Sequence, residues 1–293
     1  MARGLRRSRM NAIGMLVAIR TTSFFEDHCH GPITEAAIIA AEHREQSVSL
    51  YFQKNFPEKP ENISLYCDGR CDGLIVVGES TPGPFVSALK NRSFPFVCVT
   101  EAEVGCDVSY TDADQEEMAE RLAVHLLELG HRKILVLEGV REQINVRQRI
   151  VGSSRAFAKW GISPMDTPFL PGAYDKESGY ERVYDHLTKT PRQDWPTAIY
   201  CFNDFLAHGA LLALSDLGVQ CPSEMSVVGI DNDRESVTAV VPLTTMRLPL
   251  QLLGQNAVDM LLTAINNPGS PIQQLNLPAE LIIRDSTAPP RPS

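Results

Sequence analysis

Polar residues suited to ligand binding follow two apolar runs in the second half of the chain. Asn203 and Asp204 come directly after the run at residues 198–202, and Asp231 ends the run at 225–230. Both runs are typical of strands buried in a parallel sheet, and such sheets bind ligands at the carboxyl ends of their strands. Because an Asn side chain donates and accepts hydrogen bonds whereas an Asp only accepts, this set suits a hydroxyl-rich or amide ligand.

Each of these residues also has a structural interpretation. Asn203 could cap the helix predicted at residues 205–217, since Asn is a common N-cap residue. Asp231 could serve a turn that continues through Asn232 and Asp233. Position alone favours the cap for Asn203, whereas the end of a buried strand favours ligand contact for Asp231. For Asp204 we expect a structural role.

Three arginines share the segment at residues 147–155. The planar guanidinium of Arg149 could grip a carboxylate or two neighbouring hydroxyls through paired hydrogen bonds. A surface position on a helix is the alternative, and it is the position we expect for Arg147 and Arg155.

Aromatic residues stand in segments predicted as loops, where core packing explains them less well than in a helix or strand. Tyr174 is one of these residues, and the pair Phe24 and Phe25 is another. An aromatic face can cover a sugar ring or a base by stacking and apolar contact. For Phe25 we expect a hinge or core position instead.

The segment at residues 26–30 (EDHCH), together with Cys67 and Cys71, carries side chains that can bind metals. Its spacings match no known zinc pattern, so a solvated loop is the favoured interpretation. The chain also has no Gly-rich phosphate loop, nucleophile elbow or metallohydrolase helix. We therefore predict no metal, no cofactor and no enzymatic activity.

The elements that must position these residues alternate regularly along the chain. Apolar runs predict strands at 12–19, 47–52, 71–77, 94–99 and 131–137. Helical periodicity predicts helices at 32–45 and 114–129, the second of which stops before Gly130. This alternation implies parallel sheets with right-handed crossovers, and the predicted fold class is α/β.

Length and composition are those of a globular protein. The 293 residues are 43% hydrophobic and 22% charged, and 27 basic against 36 acidic residues give a net charge of −9. No stretch is apolar enough to cross a bilayer, and the apolar run at 13–19 lacks a convincing signal-peptide cleavage site. Seven cysteines at irregular positions indicate reduced thiols in a cytoplasm rather than a disulfide framework.

Several motifs resemble those of the lac-repressor-type (LacI/GalR) family of bacterial transcription regulators. They are LGHRKI at 129–134, RIVG at 149–152, GAYDKESGY at 172–180, PTAIYCFNDFLAHGAL at 196–211, the block from 222 with PLTT at 242–245, and LIIRDST at 281–287. Each motif alone is weak. Together, in the family's order and spacing, they extend the resemblance over nearly all of residues 3–287.

The resemblance implies a type I periplasmic-binding-protein-like fold, in which two Rossmann-like lobes with parallel sheets are joined by three crossover strands. It implies a first lobe at 11–112 and 247–276, and a second at 113–246 and 277–287. A remnant of a hinge segment at 1–10 and a disordered tail at 288–293 would flank them. The cleft between the lobes would hold a small polar effector, sugar-like or nucleoside-like. By family position the effector would contact Arg149, Asn203, Asp231, Tyr174 and Phe24.

Thr100 is a departure from the family's pattern. After the corresponding strand many relatives carry an Asp that faces the ligand, whereas this chain has Thr100, which we include among the ligand contacts. The loop after residue 77 offers Gly78, Glu79 and Ser80. The first lobe is thus less equipped to bind a polyol.

The first residues resemble the end of the hinge helix with which relatives enter the minor groove. Leu5 matches the leucine that relatives wedge between base pairs, and Arg3 and Arg6 flank it. A disordered basic tail is the alternative, and it is expected for this chain alone, because so short a helix is unstable without DNA. We expect operator binding only through a helix-turn-helix, which this chain lacks.

The expected function is effector sensing and dimerisation for a DNA-binding regulator, with a cytoplasmic homodimer whose operator binding responds to a small molecule. The alternative is the solute-binding protein of a sugar transporter, which shares the fold. The lack of a credible signal peptide and the Leu5 segment argue against it. The missing catalytic motifs argue against an enzyme on a Rossmann-like scaffold.

Overall fold

The computed structural model describes residues 9–18, 28–54, 60–78, 81, 83–163 and 166–291. The chain divides into two compact units. One runs to Asp112 and includes Leu250–Leu277, and the other takes Ala113–Pro249 and the chain from Pro278 onward. Both units are α/β, which confirms the predicted fold class. Among the described residues, no helix has the length and apolar character needed to span a membrane.

Strands and helices alternate along most of the chain. In chain order the strands are β1 (Ala12–Ala18), β2 (Ser47–Gln53), β3 (Gly73–Val77), β4 (Phe96–Val99), β5 (Tyr110–Ala113), β6 (Ile134–Leu137), β7 (Phe169–Leu170), β8 (Ala198–Cys201), β9 (Ser226–Asp231), β10 (Thr244–Arg247), β11 (Gln274–Leu277) and β12 (Glu280–Ile282). The α-helices are α1 (His30–Glu42), α2 (Pro84–Asn91), α3 (Gln115–Glu128), α4 (Ile144–Lys159), α5 (Lys176–Lys189), α6 (Asp204–Asp216), α7 (Arg234–Thr238) and α8 (Leu250–Asn266). Short 3-10 helices lie at Pro60–Leu65 and Arg192–Asp194.

The first unit is built on a six-stranded sheet with the order β2-β1-β3-β4-β5-β11. The strands β1 to β5 are parallel, and Met15 of β1 pairs with Leu50 of β2 and Ile75 of β3. Every residue of β1 and β3 is buried, as expected for apolar strands covered on both faces. Helices α1 and α8 pack against each other on this sheet.

The second unit has a six-stranded sheet with the order β7-β6-β8-β9-β10-β12. Its strands are parallel except for β12, which runs antiparallel to β10. Leu135, Ile199 and Val227 of the three central strands are fully buried in one apolar cluster. Because β6, β8 and β9 are parallel neighbours, the residues that follow them meet at one edge of the sheet.

The predicted strands and helices are present, with shifted ends. The helix predicted at 32–45 begins at His30 and ends at Glu42. The strand predicted at 71–77 begins at Gly73. Helix α3 begins after Asp114, because the Asp114 carboxylate accepts a hydrogen bond from the Glu117 amide at 3.0 Å and caps the helix. The predictions for the hinge residues Leu5, Arg3 and Arg6 lie outside the described residues.

The disordered tail predicted at 288–293 begins too early. The Ala288 carbonyl accepts hydrogen bonds from His131 Nε2 at 2.9 Å and from Ser226 Oγ at 3.1 Å. Pro290 Cδ lies 3.5 Å from the position that a Cβ on Gly130 would take. These contacts hold residues 288–290 against the second unit, which offsets the entropy of ordering them.

Candidate ligand-binding site

Asn203 lies at the end of β8 and caps α6, as its position in the sequence indicated. Its Oδ1 accepts a hydrogen bond from the Leu206 amide at 2.9 Å, and its backbone is extended. Its Nδ2 donates to the Tyr174 carbonyl at 3.5 Å. The cap occupies one side of the amide and leaves the Nδ2 group directed to the loop that carries Tyr174.

Arg149 is buried in the middle of α4, with 4% of its surface exposed. Its Nε donates to Gln115 Oε1 at 2.9 Å, and its Nη1 donates to the Phe202 carbonyl. A buried guanidinium needs such partners, because taking a charge out of water costs several kcal/mol (on the order of 5) unless it is paired. The bond to Phe202 places the Arg149 guanidinium beside the end of β8, because Phe202 directly precedes Asn203.

The two other arginines of this segment lie on the surface, as predicted. Arg147 is exposed and donates to the Glu142 carbonyl. Arg155 is exposed and forms ion pairs with Glu116 and Glu120 of α3. Arg149 therefore differs from Arg147 and Arg155 in its position on the helix, since it is the one of the three that is buried against the sheet.

Tyr174 lies in the loop between β7 and α5, where Asp175 caps α5 by accepting from the Ser178 amide at 2.7 Å. Its ring covers Gly139, which follows β6 at the same edge of the sheet. A Cβ at Gly139 would lie 2.2 Å from Tyr174 Cζ, so this ring position requires glycine there. The sequence did not indicate Gly139, because the need for glycine there comes from the ring of Tyr174, which is distant in the chain.

Asp231 is the last residue of β9 and has a φ of 126°, and Asn232 follows with a φ of 58°. Positive φ angles are uncommon outside glycine and cluster at functional sites, where surrounding contacts must hold them. The Asn232 amide donates to Thr245 Oγ1 at 3.4 Å, and Asn232 Oδ1 accepts from Arg284. The turn after β9 is thus fixed from β10 and from the segment after β12.

Behind this turn lies a buried hydrogen-bonded network. Asp204 accepts from Thr245 Oγ1 at 2.7 Å and from the Asp233 amide at 2.9 Å, and its Oδ2 lies 2.7 Å from Ser236 Oγ. Asp233 in turn accepts from His208 Nε2 at 3.1 Å. Burial raises the pKa of Asp204 above its usual value, against the contacts with Ser236 and Thr245 that lower it. The structural role predicted for Asp204 is confirmed, whereas sequence reasoning missed the other members.

Thr100 belongs to the first unit, where it follows β4 with a φ of 64° and precedes Glu101 with a φ of 55°. Its amide donates to the Thr111 carbonyl at 3.1 Å. The Oγ1 atoms of Thr100 and Thr111 are buried without a hydrogen-bond partner among the described residues. A β-branched residue with positive φ is a clear outlier, so this strand end is also held under strain. Phe24, predicted on the same unit, and its neighbour Phe25 lie outside the described residues.

The cysteines and histidines form no metal site in the part of the chain that the structure describes, where no group of three or more His, Cys, Asp or Glu could hold an ion. All seven cysteines are described, and none forms a disulfide. Burial raises the pKa of the Cys71 thiol to about 11, so this thiol is protonated at neutral pH.

Comparison with known proteins gives relatives over almost the whole chain. Residues 123–287 match the family model of a periplasmic binding protein-like domain. The HTH-type transcriptional repressor PurR of Salmonella newport (strain SL254) is 30% identical over 290 residues, which cover 98% of this chain and 83% of that protein.

Solved structures share the fold. The lac repressor dimer bound to operator and the anti-inducer ONPF matches with a TM-score of 0.85 at 22% identity, over 96% of this chain and 95% of that one. A LacI family transcriptional regulator from Enterococcus faecium, solved with bound ribose, matches with a TM-score of 0.79 at 24% identity, over 95% and 99% of the two chains.

Proposed function

Because this chain belongs to the lac-repressor-type (LacI/GalR) family of transcription regulators and forms its effector-binding region, we propose that it binds a small sugar-like or nucleoside-like effector and thereby modulates operator binding. The ligand would lie at the carboxyl edge of the second unit's sheet. Four side chains would contact it: Arg149, Asn203, Asp231 and Tyr174. Thr100 and Phe24 of the first unit stay predictions.

One observation carries this proposal: a chain of contacts joins three of the four residues at that edge. Arg149 donates to the carbonyl of Phe202, the next residue is Asn203, and Asn203 Nδ2 donates to the Tyr174 carbonyl. Three separate elements are therefore tied together where parallel sheets bind ligands. A binding site needs such support, because its side chains must stay in place when no ligand is bound.

The residue types suit a ligand with several hydroxyl groups. A guanidinium offers paired donors, Asn203 offers an amide donor, and the carboxylate of Asp231 offers acceptors. The Tyr174 ring adds an aromatic side chain that can cover a sugar ring or a base. Bound ribose in the relative from Enterococcus faecium supports a ligand of this class.

A thermal-shift screen of monosaccharides, disaccharides, nucleosides and small acids tests the proposal. A ligand at 100 times its Kd adds about 2.7 kcal/mol to the free energy of unfolding, so at least one sugar or nucleoside should raise the Tm. Asp231→Asn should reduce the shift strongly, because it removes a charged acceptor.

Asp216→Asn is the matched control, since Asp216 is an exposed carboxylate at the opposite end of α6 and should keep the shift. If no sugar or nucleoside raises the Tm of the parent, the proposed ligand class is wrong. If Asp231→Asn responds like the parent, the site is wrong.

A further inference from the structure

The Ser236 hydroxyl stands between two buried carboxylates. Its Oγ lies 2.7 Å from Asp204 Oδ2 and 2.7 Å from Asp233 Oδ1. Asp204 and Ser236 are at most 1% exposed and Asp233 is 5% exposed, so water does not screen these contacts. Three oxygen atoms that would each be proton acceptors are thus held in two short contacts.

The two short contacts of Ser236 Oγ need two hydrogens, and the hydroxyl group supplies one. A hydroxyl group has a single hydrogen to donate, so Ser236 can satisfy only one of the two short contacts. An oxygen pair at hydrogen-bond distance with no proton between is repulsive, and burial strengthens the repulsion. A proton on one carboxyl group, donated to Ser236 Oγ, would give each short contact its own hydrogen.

The surroundings of the two carboxyls decide which one holds the proton. Burial alone would raise the pKa of Asp233, but the hydrogen bonds from His208 and Ser236 outweigh it and lower the pKa to about 2. Burial dominates at Asp204 and raises its pKa. The proton belongs on Asp204, which donates to Ser236 while Ser236 donates to Asp233.

This network holds both sides of the strained turn that presents Asp231. Asp204 accepts the amide of Asp233, on the far side of the two residues with positive φ. Asp204 also accepts from Thr245 Oγ1, which itself receives the Asn232 amide. Loss of the network would release a turn whose positive φ angles are unfavourable without such contacts.

We propose that Asp204, Ser236, Asp233 and His208 are positioning residues that hold Asp231 for the effector, and that a proton on Asp204 is a built-in part of this support. Its importance for the effector rests on the proposed function. The proton and the fixed turn are properties of the chain without ligand.

Other ionisable groups lie on the elements that pack around Asp204. Cys201 at the end of β8 stays neutral, because burial raises its pKa far above the usual thiol range. On α6, His208 bonds Asp233, and the charge of Asp233, which stands before α7, helps to raise the pKa of Asp204. Glu235 on α7 forms an ion pair with Lys176 of α5. Asp231 precedes Asp233 by two residues in the turn itself, and β10 contributes the hydroxyl of Thr245.

The free energy of unfolding of the purified chain, measured by denaturant titration between about pH 4 and pH 8, tests for the proton. A carboxyl whose pKa is raised in the fold stabilises below its unfolded value of 3.8, and this stability is lost as pH rises through the folded value. Asp204→Asn does not titrate. Its stability relative to the parent should therefore increase with pH, by about tenfold in the unfolding equilibrium constant per pH unit.

Asp107→Asn is the control of opposite sign. The hydrogen bond from Lys90 lowers the pKa of Asp107, so its stabilisation is complete above 3.8 and the difference from the parent should stay constant. A constant or decreasing relative stability of Asp204→Asn would overturn the proposal. If Asp204→Asn does not fold, the infrared spectrum of the parent decides. A carboxylic-acid C=O band at neutral pH supports the proton, and its absence refutes it.

Hydrogen exchange tests the positioning role. Ser236→Ala removes the bridge between the carboxyls and should speed exchange of the Asn232 and Asp233 amides by about fivefold or more. Ser226→Ala is the matched control, because Ser226 is a buried hydroxyl at the opposite end of β9. Equal exchange in both variants would contradict the role. Neither measurement uses a ligand, so either can fail while the proposed function holds.

Discussion

At the scale of single residues, Arg149 combines two tasks. The sequence marked it as a ligand residue, and on that basis its removal should hardly affect the free protein. The structure changes this expectation, because Arg149 is buried and bonds Gln115 and the Phe202 carbonyl. Sequence alone could not show these partners, since they lie on α3 and at the end of β8.

Arg149→Ala should therefore lower the free energy of unfolding of the ligand-free chain. Leaving the buried Phe202 carbonyl and Gln115 side chain without their donor costs about 1–3 kcal/mol. Arg155→Ala on the same helix removes only exposed ion pairs, which solvent screens, and should cost much less. Chemical denaturation compares the two variants, and equal losses would show that the buried contacts of Arg149 contribute nothing.

Gly229 shows why the network behind Asp231 could not be found in the sequence. A Cβ at this position of β9 would lie 2.2 Å from Asp204 Oδ1 and 3.0 Å from Leu243 Cδ2. The apolar run predicts the strand correctly, but the buried carboxylate against it comes from α6. The pair of His208 and Asp233, 25 positions apart, likewise becomes visible only in the folded chain.

Gly229→Ala should cost about 3 kcal/mol, at the upper end of the range for overpacked sites, because a buried carboxylate cannot move without losing its partners. Gly161→Ala is the control. Gly161 has a φ of 69° but open space around it, so alanine there should cost only about 1 kcal/mol of backbone strain. Thermal denaturation of the two variants checks this order, and a smaller loss for Gly229→Ala would contradict it.

At the scale of elements, close packing of helices explains glycines that the motifs contain. Gly152 ends the RIVG motif, and a Cβ there would lie 2.1 Å from the Glu116 carbonyl of α3. Gly179 of α5 meets the Leu206 carbonyl of α6 in the same way, at 2.4 Å. The periodicity of the sequence predicts these helices, but it cannot show how closely two of them approach.

Gly152→Ala should force α3 and α4 apart and lower the free energy of unfolding by about 3 kcal/mol. Ser154→Ala is the matched control, because Ser154 is an exposed residue two positions along α4 and alanine favours the helix. Denaturant titration separates the variants. Equal stability would mean that the two helices tolerate a wider spacing than the structure implies.

At the scale of the whole molecule, the repeated strand and helix pattern made the α/β class predictable, whereas each unit depends on segments far apart in sequence. β11 joins the first sheet from beyond residue 270, and β12 joins the second from beyond residue 279. Only the family resemblance indicated that late segments of the chain would join both sheets. The ordered end of the chain was missed, because its partners, His131 and Ser226, are distant in sequence.

We also expect the chain to form a homodimer, since relatives that read two-fold operators are two-fold symmetric. Helices of the first unit expose large apolar side chains, with Ile39 of α1 at 47% and Leu252 of α8 at 51% exposure. Light scattering at tens of micromolar should give the dimer mass. Ile39→Asp should give the monomer, and Ile283→Asp, an exposed residue of the second unit, should stay dimeric. A monomeric parent would contradict this prediction.

The effector site is tested most directly by calorimetric titration of the ligand from the thermal-shift screen into the parent, Arg149→Lys and Arg155→Lys. Both variants keep the charge, but lysine lacks the planar guanidinium that can donate to the Phe202 carbonyl and to a ligand at the same time. Lost charged hydrogen bonds of about 1.5–3 kcal/mol predict a ten- to hundredfold weaker Kd for Arg149→Lys and an unchanged Kd for Arg155→Lys. If both variants bind as tightly as the parent, the ligand does not lie beside Arg149 and the assigned site is wrong.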